Sequence, residues 1–127
     1  MANPSGKKGY NGEAPVLDYL LKQGFHRAFR RRTQGVVDKG DIGGIDNVVI
    51  EIKNHGIYKF GAWMKELAQE KSNALAWTAG LVVKPKGVGA TRVRDWWVMM
   101  TLEDYTALLE RAGYGPIRRA DETLTED

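Results

Sequence analysis

The 127-residue chain predicts a single α/β domain whose mixed β-sheet is flanked by helices. Three observations carry that prediction. Apolar residues recur at helical spacing in three segments and at strand spacing in several short segments between them. The order is α-β-β-β-α-β-β-α, so a helix divides two groups of strands. A composition of 43% hydrophobic and 28% charged residues is that of a folded globular chain rather than a disordered one.

Residues 1–11, rich in Gly, Lys, Asn and Ser, read as a flexible basic arm, and the folded domain as residues 12–114. A helix is expected from about Gly12 to Gln23, with Val16, Leu17, Leu20 and Leu21 as its stripe and Gly24 as its stop. Pro15 belongs in the first turn of that helix, where a missing N–H is tolerated. Residues 25–32 read as a first, basic strand. Asp41 to Ile45 and Val48 to Lys53 read as a hairpin turning at Asp46-Asn47. The clearest helix is 60–76, with Phe60, Trp63, Met64, Leu67, Ala68, Ala74 and Leu75 on one arc. Leu81 to Lys84 and Arg94 to Thr101 are two further strands, joined by a basic, Gly-rich loop. Thr101 and Asp104 form a capping box for a last helix that stops at Gly113. Residues 115–127 read as a disordered acidic tail.

Several function classes are excluded. No run reaches the roughly 20 apolar residues of a membrane span, and residues 1–10 lead into no apolar segment of a secretory signal. The absence of cysteine excludes disulfides, thiolate metal sites and cysteine nucleophiles, and fits a reducing cytoplasm. Charge is informative once divided. Four of the 16 acids lie in the last seven residues, leaving 19 bases against 12 acids before them. A basic body suggests a polyanionic partner, with plain solubility as the alternative.

The chemistry concentrates in residues 40–54, GDIGGIDNVVIEIKN. Strand alternation puts Val48, Ile50 and Ile52 on a buried face and Glu51 with Lys53 on the other. Asp41 comes alongside Glu51 across the hairpin, and two converging carboxylates repel unless a divalent cation lies between them. Hard oxygen ligands suit Mg²⁺ or Mn²⁺. Lys53 would then orient water or stabilise charge on a transferring phosphate. The competing reading is a solvated Glu51–Lys53 surface pair. Glu13 precedes Val16, Leu17 and Leu20 by three, four and seven residues, so it continues the buried stripe; compensation of the helix dipole is its alternative. For Lys7, Lys8, Arg27, Arg30, Arg31, Arg32 and Lys39 we expect phosphate contact, with a solvated strand edge as the alternative. Lys84, Lys86, Arg92 and Arg94, around the Gly-rich loop, are further candidates for DNA contact. Lys71 either snorkels or points into the site. Gln69 reads as solvated, Trp63, Trp77, Trp96 and Trp97 as core or interface, and neither His26 nor His55 as a ligand.

The K-G-Y-N-G-E opening at residues 8–13, G-D-I at 40–42 and V-V-I-E-I-K at 48–53 resemble the PD-(D/E)xK nuclease superfamily. Within it the chain is most similar to small Holliday-junction resolvases of the archaeal type and related phage enzymes, over about residues 6–100. The resemblance implies a restriction-endonuclease-like α-β-β-β-α-β core. It implies Mg²⁺-dependent cleavage of branched or four-way DNA by a homodimer, with no small-molecule cofactor. It gives Glu13, Asp41, Glu51 and Lys53 the catalytic roles, the three acids as metal ligands. Gly40 stands where the name-giving proline would be. A dimer also answers the need for two matched cuts by a chain with one E-x-K pair, since C₂ symmetry presents two identical sites. The large side chains of residues 96–100 would supply its surface, unless the chain's own helices cover both sheet faces. Nicking or restriction-like repair nucleases share the motifs, and a non-catalytic DNA-binding module is the alternative outside that class.

Overall fold

A computed structural model of the chain describes residues 4–32 and 37–116, with side chains from residue 12 onward. The elements are α1 (Pro4–Lys22), β1 (Phe29–Arg30), β2 (Ile42–Gly43), β3 (Val48–Lys53), α2 (Phe60–Ala74), β4 (Thr78–Val83), a 3₁₀ turn (Ala90–Asp95), β5 (Trp97–Met99) and α3 (Leu102–Arg111). The five strands lie in one mixed sheet in chain order. Among the described residues only the β3–β4 pair is parallel, because α2 carries the chain back to the same end before β4 begins. Antiparallel pairing joins β1–β2, β2–β3 and β4–β5. The α/β class, mixed sheet and element order are as the sequence predicts.

β3 and β4 are the centre, and each presents two covered faces. Val49, Ala79, Leu81 and Val83 pack beneath Trp63 and Leu67 of α2. Ile42 and Ile52 pack on the opposite face with Val16 of α1 and Trp96. The side alternation expected in β3 holds but its burial does not: Val48 and Ile50, expected to be buried, are half-buried, while Val49 and Glu51 on the other face are both buried. Two helix-covered faces also explain why β3 reads as a nearly continuous apolar run.

Several expectations need correction. α1 begins at Pro4, so residues 4–11 extend the helix instead of forming an arm. Pro15 therefore lies in the helix interior, where it has no N–H to donate to the carbonyl four residues back. β1 and β2 have two residues each, and part of the last expected strand is the 3₁₀ turn. Thr101 Oγ1 accepts the Asp104 N–H at 3.1 Å, one half of a capping box. The other half is missing, because the Asp104 carboxylate faces the core: Oδ2 accepts the Ala79 N–H and Oδ1 pairs with Lys71 at 2.8 Å. Lys71 is thereby a structural partner of α3 and does not enter the acidic site. Of the acidic tail, only Gly115 and Pro116 fall among the described residues. Among those residues no helix is long and apolar enough to cross a membrane.

Candidate metal centre

Asp41 and Glu51 meet because β2 and β3 pair with Ile42 opposite Ile50, one residue from each acid. The Asp41 N–H donates to Ile50 O and its Oδ2 accepts the Ile52 N–H at 2.7 Å. Its backbone and side chain are thus both tied to β3. The approach requires Gly40. At φ +96° this residue sits in the left-handed region, and a Cβ there would lie 2.9 Å from Val49 Cγ1 and 3.0 Å from Ile50 O. Proline, fixed near φ −65°, cannot adopt this conformation. The glycine at the expected proline position is a geometric requirement of the turn.

α1 passes the end of β3 at Gly12, where a Cβ would stand 3.1 Å from Asn54 Cβ. This crossing brings Glu13 to the site. Glu13 is nearly three turns into its helix, too far from the N-terminus to compensate the dipole. It accepts from Arg30 Nε at 3.0 Å, and its charge raises the Asp41 pKa. All four predicted residues therefore share one region.

Lys53 Nζ lies 3.3 Å from Glu51 Oε2 and 3.0 Å from Glu66 Oε1. The Glu51 and Lys53 side chains are only 8% and 13% exposed, so the alternative of a solvated surface pair fails. Glu66 belongs to α2, as does Glu70, one turn on and 1% exposed. With Asp38, the three glutamates 51, 66 and 70 offer carboxylate oxygens that all lie within 4.8 Å of one another. Glu51 is thus in the middle, with Asp41 on one side and the α2 acids on the other.

The electrostatics follow from burial. Burial pushes Asp41 up to about 6, aided by Glu13 and restrained chiefly by the Ile52 N–H. Burial together with the Asp41 and Glu70 carboxylates drives Glu51 far above the usual carboxylate range. Glu70 rises to about 7, again mainly through burial, with Asp38 and Glu66 adding to it. For Lys53, burial would lower the pKa, but Glu66 and Glu51 outweigh it and the ammonium is held above its ordinary value. Among the described residues no donor reaches Glu51 Oε1 or either Glu70 oxygen.

Asp38, Glu66 and Glu70 were not expected from the sequence. Glu70 carried a signal: it follows Trp63 by seven residues and Leu67 by three, inside the apolar stripe of its helix. Glu66, four residues earlier, shares that side. Asp38 carries none in its spacing. Gln69 bonds to Asn73 on the exposed side, as expected. Trp63 and Trp96 are core, Trp77 is half-buried under the Arg111 guanidinium, and Trp97 is exposed.

The basic candidates divide. Arg30 and Arg31 adjoin the acids: Arg30 pairs with Glu13, and the Arg31 N–H donates to Asp41 O. The Lys84 N–H donates to Lys53 O, which puts Lys84 at the same sheet end. Lys86 lies over the Tyr58 ring. Arg32 and Lys39 are exposed. Arg27 pairs with Asp46 and Arg92 with Asp95, both in solvent. Arg94 lines an apolar hollow of about 450 Å³ on the α1 side of the sheet, with Val16, Ile50, Val82 and Trp96. Lys7 and Lys8 lie on α1, but their side chains are outside the described residues. No family model matches the chain, and no curated protein or solved structure is found similar to it.

Proposed function

We propose that the chain is a metal-dependent DNA endonuclease of restriction-endonuclease-like architecture, acting on branched DNA as a Holliday-junction resolvase. One observation carries the reading. Glu51 is buried between Asp41 and Lys53, with an oxygen that no donor among the described residues reaches. Buried carboxylates of that kind are retained where a cation completes them. The order helix, three-strand meander, crossover helix and parallel strand supports the architecture.

Asp41 and Glu51, with Glu13, would hold Mg²⁺ or Mn²⁺, which when bound supplies Lewis acidity toward a phosphodiester and a readily ionised water. The chain's own groups do the rest. Lys53 is held protonated by Glu66 and Glu51, so it donates hydrogen bonds to an attacking water or to developing phosphate charge and does not act as the base. Arg30, paired with Glu13, and Lys84, hydrogen-bonded to the Lys53 carbonyl, would meet the backbone phosphates beside the cut. Exposed Trp97 and Val98 on β5 support a second copy of the chain as partner.

The test is cleavage of matched four-way, flap and linear DNA with Mg²⁺ and with chelator. Paired cuts in opposed strands of the junction, only with Mg²⁺, are expected. Single-strand nicking alone would move the reading to a repair nuclease. Equal DNA binding in both conditions with no cutting would overturn it in favour of a non-catalytic binding module.

A further inference from the structure

We propose a second divalent-cation site on the α2 side of Glu51, built by Glu51, Glu66, Glu70 and Asp38. It goes beyond the nuclease reading and rests on it in one respect, the Asp41 site with which it shares Glu51.

The first observation is spacing. Oxygens on opposite sides of one cation, at bonds of about 2.0–2.6 Å, stand roughly 4–5 Å apart. The four carboxylates offer oxygens within 4.8 Å of one another, so they converge to that range with the backbone as it stands. Three supports hold them: a central strand for Glu51, one helical turn for Glu66 and Glu70, and for Asp38 a carboxylate oriented by the Gly40 N–H at 2.9 Å.

The second observation is independent of clustering. Glu70 is 1% exposed and aimed into the group, and among the described residues no donor reaches either of its oxygens or Glu51 Oε1. Lys53 does not supply the missing charge. It bonds Glu51 through Oε2 and Glu66 through Oε1, and does not reach Glu51 Oε1 or either Glu70 oxygen. A cation meets all of these oxygens at once, whereas a proton serves a single pair. Four carboxylates with a buried inner side fit Mn²⁺ or Ca²⁺ better than Mg²⁺, which keeps several waters. Glu51 would then be shared with the Asp41 side, one carboxylate bridging two ions.

The experiment is Mn²⁺ titration of the full chain by calorimetry after chelator removal, on wild type, Glu70→Gln, Asp38→Asn and Asp41→Asn, with circular dichroism to check folding. Two Mn²⁺ per wild-type chain are expected. Glu70→Gln should remove one, and Asp38→Asn should weaken the same one at least tenfold. Asp41→Asn should keep that ion and lose the other. Asp38 is exposed, so its variant answers if Glu70→Gln fails to fold. If Glu70→Gln folds and binds Mn²⁺ like wild type, or if Asp38→Asn does so where Glu70→Gln is unfolded, a proton is what joins these acids and the proposal is overturned. Loss of all binding in Asp41→Asn would overturn it too, as a single composite site. The nuclease reading fails by a different result, namely Asp41→Asn that still cuts DNA.

Discussion

In chelator the protein should lose stability as pH rises from 5 to 8, the reverse of the usual trend for a protein whose carboxylates form ion pairs. Glu70 shows why. Unfolded, its carboxyl ionises near 4.5; folded, burial holds the proton until about 7. A group whose folded pKa is raised contributes stability that is complete below the unfolded value and is lost as pH climbs through the folded one. The interval from 4.5 to about 7, at about 1.4 kcal/mol per pH unit, comes to about 3 kcal/mol for Glu70. Asp41, raised from 3.8 to about 6, acts in the same direction and over an overlapping window. The two are linked through Glu51, so their effects do not add. Glu51, whose folded pKa is raised further still, acts in the same direction across the whole of this range. Urea unfolding followed by the fluorescence of buried Trp63 and Trp96 measures the effect at each pH. The midpoint should fall between pH 5 and 8 in chelator and fall much less with millimolar Mn²⁺, which replaces the protons. Glu70→Gln should make the chelator profile shallower, with Asp41 and Glu51 keeping part of the slope. A midpoint that is flat or rises over this range in chelator would show that donors or counter-charges already satisfy these oxygens, and the electrostatic argument for a metal centre would go with it.

Asp41→Asn, Glu51→Gln and Lys53→Ala should each reduce junction cleavage by at least 10²-fold while gel-shift affinity in chelator stays near wild type, because phosphate contacts, not these groups, supply most of the binding. Glu13→Gln should cut cleavage severely with a small change in melting temperature, since its partner Arg30 is still about one-third exposed and can turn to solvent; unchanged turnover would leave Glu13 a structural anchor for Arg30. Asp104→Ala should cost about 2–4 kcal/mol by stranding the buried Ala79 N–H and the Lys71 ammonium, with cleavage per folded molecule unchanged. Gly40→Pro should destabilise the chain by at least 2 kcal/mol in thermal unfolding, because φ +96° lies outside what proline can adopt. Sedimentation equilibrium at micromolar concentration should give about twice the 14.2 kDa chain mass, and Trp97→Glu should lower it to one; a concentration-independent single-chain mass in the wild type would remove the dimer.

Much of this was legible because β3 and α2 are long enough for their periods to show. The six residues of β3 match the expected strand end to end, and α2 departs only in its last turn. The two-residue strands β1 and β2 defeat the same reasoning, since two residues have no alternation to read. The first helix misled through Pro15 and its glycines. Both argue for a helix start at Gly12, yet the helix runs back to Pro4. In the site, Asp41, Glu51 and Lys53 were found because hairpin register alone brings them together. Glu70 and Asp38 join them through the packing of α2 on the sheet, a contact across the crossover that no local spacing encodes.

The location of Glu51 and Lys53 on β3 bears on how the site could be regulated. β3 is hydrogen-bonded to neighbours on both sides and carries the parallel pairing that closes the core. Amides of such a strand exchange with solvent only when the whole domain opens. The strand-borne charges therefore sit on the last segment to loosen, and thermal fluctuation short of global unfolding leaves their spacing unchanged. Glu66 and Glu70 ride on α2, whose docking rests on Trp63 and Leu67 as its buried apolar anchors. Deuterium exchange should separate the two, with α2 amides gaining protection when metal is added and β3 amides already protected without it.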